Sequence, residues 1–182
     1  MAPSFCCANE SMGTPAARAE FEKGETARWA SNFRAAAEAY HRAIEIDPDF
    51  AKAHENYIFV SQLVTPNLQE RDPKTESSDD FKTEEERGGQ AGVKPRARLQ
   101  IEYEELARQH PDRAVYQWGL GWINLESQPQ AAERYFRNAL RIDPTFAPAF
   151  SMLSIIDEAR GDLASSRENL RKGCTVDAQI EA

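Results

Sequence analysis

His54-Glu55-Asn56-Tyr57-Ile58 opens as a metal-binding protease helix would, with a histidine ligand and a glutamate beside it as general base. Such a helix needs a second histidine four residues after the first, one turn on, and here that position is Ile58. His41, His54 and His110 are scattered, with no ligand spacing to one another or to Cys6, Cys7 and Cys174. Gly88-Gly89-Gln90-Ala91-Gly92 is rich enough in glycine to approach a phosphate, but no Lys-Ser/Thr follows it. The many carboxylates read as solvated helix faces. No catalytic, metal or cofactor site is expected, and the chain reads as a non-enzyme. Trp118 and Trp122 are different in kind. They are four residues apart, hence on one helix face, and buried aromatics of this type carry much of the energy of protein interfaces.

Charge narrows the partner. The net charge is −8 and the pI about 5.0, which excludes a nucleic-acid backbone or an anionic membrane surface as the main ligand. One basic stripe, Arg134, Arg137 and Arg141, reads as a solvated helix face. No apolar run approaches the roughly 18 residues of a membrane span. The start, Met1-Ala-Pro-Ser-Phe-Cys-Cys-Ala, has neither the basic residues nor the apolar core of a secretory signal. A cytoplasmic protein is expected, or a periplasmic one where a signal segment has been removed. An odd number of cysteines, two of them adjacent, does not make a disulfide framework.

The elements that must position the tryptophans are repeated helices. Residues 35–51 and 131–147 align without a gap. Each carries Ala, an aromatic four residues on, Ala three further, then Asp-Pro-x-Phe-Ala: Ala36, Tyr40, Ala43 and Pro48 in one, Ala132, Phe136, Ala139 and Pro144 in the other. Spacing of four then three puts the small and aromatic residues on one helix face. The alanines let a neighbouring helix approach, the aromatic fills the gap, and the proline stops the helix.

This pattern resembles the second helix of the tetratricopeptide repeat, a helix–turn–helix unit of 34 residues. The resemblance implies an all-α superhelix of about four repeats, at 17–50, 51–64 with 96–112, 113–146 and 147–178. Gly24 and the pair Leu120-Gly121 match the family's close-packing positions, and the turn near Ser127-Gln128-Pro129 is one residue short. In the last unit Gly173 and Ala178 stand where Ala and Pro are expected. The whole pattern is also similar to the helical-repeat segment that precedes a thioredoxin-like domain in some bacterial proteins.

In that family the first helices line a concave groove. Carried over residue by residue, the groove would hold Arg18, Phe21, Glu25, Arg28 and Trp29 in the first repeat and Lys52, Glu55, Phe59 and Gln62 in the second. The third would supply Val115, Trp118, Trp122 and Leu125, and the fourth Ser151, Ile155 and Glu158. The alternative for the tryptophans is inter-repeat core, since one residue of register turns a side chain about 100°. The family's clamp for acidic chaperone tails is not matched: of its Lys and Asn residues only Asn56 has a counterpart, and Glu25 would repel a carboxylate. The expected function is therefore a protein- or peptide-binding scaffold with a partly aromatic groove. The alternative is a structural module that self-associates or belongs to a longer protein, motivated by Leu163 and Leu170 near the C-terminus.

The second repeat breaks at Thr65-Pro66. Residues 67–95 are acidic and poor in apolar side chains, so they cannot bury enough surface to offset the entropy of ordering, and a flexible insertion is expected. Residues 1–14 are expected to be a disordered tail.

Overall fold

The computed structural model describes residues 13–64 and 95–180, with side chains to residue 175. These form eight helices and no strand: α1 (Pro15–Trp29), α2 (Phe33–Ile46), α3 (Ala51–Leu63), α4 (Pro95–Gln109), α5 (Ala114–Asn124), α6 (Pro129–Ile142), α7 (Ala147–Ala159) and α8 (Leu163–Ile180). The expected tail lies outside the described residues except for Gly13 and Thr14, and Thr14 caps α1 by accepting from the Ala17 N–H. The expected insertion lies outside them except for Pro95, which begins α4.

The Asp-Pro-x-Phe motif has a local explanation. Asp47 Oδ1 accepts from the Asp49 N–H at 3.2 Å, and Asp143 Oδ1 accepts from the Thr145 N–H at 2.8 Å. In both copies the phenylalanine N–H then closes a turn onto the aspartate carbonyl at 3.1 Å. The aspartate thus satisfies the chain where the proline has ended the helix, and the phenylalanine becomes the N-cap residue of the next one.

Consecutive helices pack on one another: α1 on α2, α2 on α3, α4 on α5, α5 on α6, α6 on α7 and α7 on α8, while α3 touches both α4 and α5. The chain is an all-α helical repeat whose hairpins stack in sequence. The Ala–aromatic–Ala face is the glue. Ala36, Tyr40 and Ala43 are fully buried, as are Ala132, Phe136 and Ala139, and Leu99 and Tyr103 hold the matching places in α4. Burying each of these large side chains stabilises the stack by about 1.5–3 kcal/mol. The rings of Tyr40 and Phe136 rest on the backbone at Gly24 and Gly121, where a Cβ would collide with them. Arg134, Arg137 and Arg141 are exposed on α6, Arg137 paired with Glu133, as a solvated face requires. Among the described residues no helix is long and apolar enough to cross a membrane.

Candidate functional site

A buried alanine stands in the first turn of each first helix of a hairpin: Ala17, Ala51, Ala114 and Ala147. These four set a common register. Eight residues after them stand Glu25, Phe59, Trp122 and Ile155, and four residues after them Phe21, Glu55, Trp118 and Ser151. Eight residues and four residues both return close to the same side of a helix, so the two sets form one stripe on α1, α3, α5 and α7.

Along this stripe the side chains differ sharply in exposure. Phe59 is 51% exposed and Ile155 49%, and Trp29, at the end of α1, is 79% exposed. Trp122 is half-buried. Trp118, by contrast, is 3% exposed and sits edge-on to both Trp122 and Phe146, with ring centroids 6.1 and 6.2 Å away. Phe146 reaches it because the Asp-Pro-Thr-Phe turn delivers that ring to the start of α7. Trp118 therefore belongs to the inter-repeat core and carries Trp122 on its edge. Phe21 is likewise packed between Tyr40 and Phe50, at 5.3 and 5.1 Å.

Four charged members of the expected groove, Glu25, Arg28, Lys52 and Glu55, are held in pairs. Glu25 accepts from Tyr40 Oη at 2.5 Å, from Asn56 Nδ2 at 2.7 Å and from Arg28 at 2.7 Å, so one carboxylate joins α1 to α2 and α3. Burial works to raise the Glu25 carboxyl, but these three donors outweigh it and hold it below its ordinary value. The Arg28 guanidinium lies 5.2 Å from the Trp29 ring centre. Lys52 and Glu55 pair at 3.1 Å. What is left open is mostly apolar, Trp29, Phe59, Ile155 and part of Trp122, with the exposed Glu158 one turn beyond Ile155.

Leu63, 44% exposed one turn beyond Phe59, extends this face and was not among the expected groove residues. The signal for it was present, since Trp29 holds the equivalent place in α1. The indole N–H groups of Trp118 and Trp122 meet no acceptor among the described residues, although both nitrogens are shielded from solvent. Among those residues, too, no group of three or more His, Cys, Asp and Glu side chains is placed to hold a metal ion.

A scan against protein-family models and a search of the curated proteins each return no match for this chain.

Proposed function

We propose that the chain is a tetratricopeptide-type binding module, not an enzyme, and that the first-helix face takes an apolar-anchored segment of another polypeptide. The observation that carries this reading is the recurrence of exposed or half-exposed apolar side chains, Phe59, Trp122 and Ile155, at one register of three successive first helices. Scattered exposed apolar residues need no explanation, but an aligned row of them does. The charges of Glu25, Arg28, Lys52 and Glu55 beside the row are already matched within the chain, so an apolar ligand would strand none of them, and Glu158 lies exposed near the end of α7. The amide of Asn56, the one residue shared with the carboxylate clamp, is taken by Glu25. An acidic tail is thus disfavoured as ligand, and a cytoplasmic setting belongs to the same reading.

Selection of a displayed peptide library on the full chain is the test. Enriched peptides are expected to carry two or more large apolar residues. Phe59→Asp and Ile155→Asp are expected to weaken their binding at least tenfold, with the helical circular-dichroism signal and melting temperature unchanged, because both side chains are exposed. Arg134→Glu on the opposite helix layer is expected to change nothing. Failure to enrich any apolar peptide, or indifference to both aspartates, would sink the reading.

A second reading, self-association, rests on Leu163 and Leu170, which are 53% and 39% exposed and seven residues apart on α8. It requires a concentration-dependent mass in sedimentation that Leu170→Glu abolishes.

A further inference from the structure

A cleft of about 550 Å³ lies between α2 and α4, floored by α3. It is lined there by Tyr57 and Ser61 of α3 and by Val64, which follows the helix. Tyr57 and Ser61 each stand two residues from Phe59, about 160° around the helix, so the cleft opens on the side away from the apolar row. Arg34, Ala37, Glu38 and His41 form one wall, a stripe at spacings of three and four on α2. Pro95, Arg98, Leu99 and Glu102 form the other, at the same spacings on α4.

The polar groups of this cleft are unequally committed. Tyr57 Oη donates to Glu102 at 3.2 Å, and the Tyr57 ring lies 5.5 Å from that of His41. Arg42, at the rim, is held by Glu20 at 2.9 Å. Arg34 and Arg98 make no ion pair among the described residues, although they lie on opposite walls of one cavity. Burial raises the Glu102 carboxyl above its ordinary value despite the hydrogen bond from Tyr57 and the nearby charges of His41 and Arg98, so Arg98 shares the cleft with one carboxylate on its own helix. Glu38, also on the lining, works against a dianion. The same lining includes Ala37, Leu99 and Tyr57, whose side chains supply its apolar surface.

We propose that this cleft is a second binding site, one that takes a monocarboxylate with an apolar body. The carboxylate meets the guanidinium groups of Arg34 and Arg98, and the body rests on Tyr57, Leu99 and Ala37. Guanidinium is the cation best shaped for a carboxylate, and the volume falls within the roughly 300–1,000 Å³ of ligand sites. A free aryl or alkyl acid and the C-terminus of a polypeptide ending in an apolar residue present the same chemistry.

Titration of the full chain with naphthalene-2-carboxylate, followed calorimetrically and by amide chemical shifts, tests the site. One equivalent is expected to bind, with shifts centred on Tyr57 and Leu99, and the uncharged naphthalene-2-carboxamide at least tenfold more weakly. Arg34→Gln and Arg98→Gln are each expected to weaken binding at least tenfold without changing the melting temperature, since both side chains are exposed. Glu38→Gln is expected to strengthen it, and Phe59→Asp to leave it unchanged. N-acetyl-Gly-Phe with a free C-terminus, set against its amide, distinguishes the sources. Preference for the free peptide acid over naphthoate assigns the site to a polypeptide terminus, and the reverse assigns it to a free acid. No saturation at millimolar concentrations of either acid would overturn the proposal, as would equal binding of acids and amides or insensitivity to both arginine variants.

Discussion

Acidification from pH 6.5 to 4 is expected to destabilise the fold by about 3 kcal/mol through His54 alone. This imidazole is fully buried. Its Nε2 faces the Pro48 carbonyl at 2.9 Å, an acceptor only, so Nε2 carries the proton; its Nδ1 accepts from Tyr103 Oη at 2.7 Å. The neutral ring is thus satisfied at both nitrogens and enclosed by the edges of Tyr103 and Tyr116. A second proton would make the Tyr103 hydroxyl turn to accept at Nδ1, taking from its hydrogen the acceptor it has now, and would put a charge in an apolar core. Burial pushes the imidazole down to about 4 from 6.5, although the Pro48 carbonyl and Asp47 favour the charged form.

The unfolded chain binds this proton from about pH 6.5 downward and the folded chain only near 4, so stability is complete above 6.5 and falls with pH until both states are protonated. That interval is worth about 3 kcal/mol, or about 6–12 °C of melting temperature for a chain of this size. Carboxylates titrate in the lower part of the same range. Glu25 and Glu133, held below the ordinary value, lose their contribution only as pH falls through that lowered range, whereas Glu102, held above it, is relieved by acid. The difference between wild type and His54→Gln isolates the histidine. The variant is expected to be less stable at pH 7, because the hydroxyl of Tyr103 and the carbonyl of Pro48 lose their fitted partner, yet nearly flat from 6.5 to 4.5. Parallel curves for the two proteins would show that His54 does not carry the effect.

His54 also shows where reading the sequence stops. Beside Glu55 it looks like half of a metal motif, and nothing local shows that it spends both nitrogens on a turn carbonyl and on a tyrosine 49 residues away. The helices themselves were legible. The Ala–aromatic–Ala spacing and the Asp-Pro-x-Phe turn are short-range features, and the all-α fold they imply is the one formed by the eight helices packed in sequence. The face was legible only in part. Trp118 and Trp122 share a stripe by spacing, but whether each is core or surface depends on Phe146, which the chain delivers from the next hairpin. The cleft between α2 and α4 is a non-local product of two helix stripes, neither of which marks a site by itself.

Gly121→Ala is expected to cost about 2 kcal/mol, against the gain of about 1 kcal/mol that helix propensity alone would bring. The ring of Phe136, fully buried on α6, lies where the new methyl would sit. Gly119, two residues away and so about 160° around α5, receives the ring of Tyr103 from α4 in the same way. Helix α5 is therefore clasped between two aromatic rings seated directly on its backbone, and neither ring can retreat into a packed interior. The sign of the effect identifies its cause. In a Phe136→Leu background, itself less stable, Gly121→Ala is expected to become neutral or stabilising, because the shorter side chain vacates the space and propensity then decides. The coupling between the two substitutions, measured by denaturant unfolding, should be about 2 kcal/mol, within the range for residues in direct contact. Gly119→Ala should show the same coupling with Tyr103→Leu and little with Phe136→Leu, since the two rings press on opposite sides of the helix. A Gly121→Ala variant more stable than wild type would mean that α5 and α6 are not held at this distance, and the close approach of first and second helices would lose its cause.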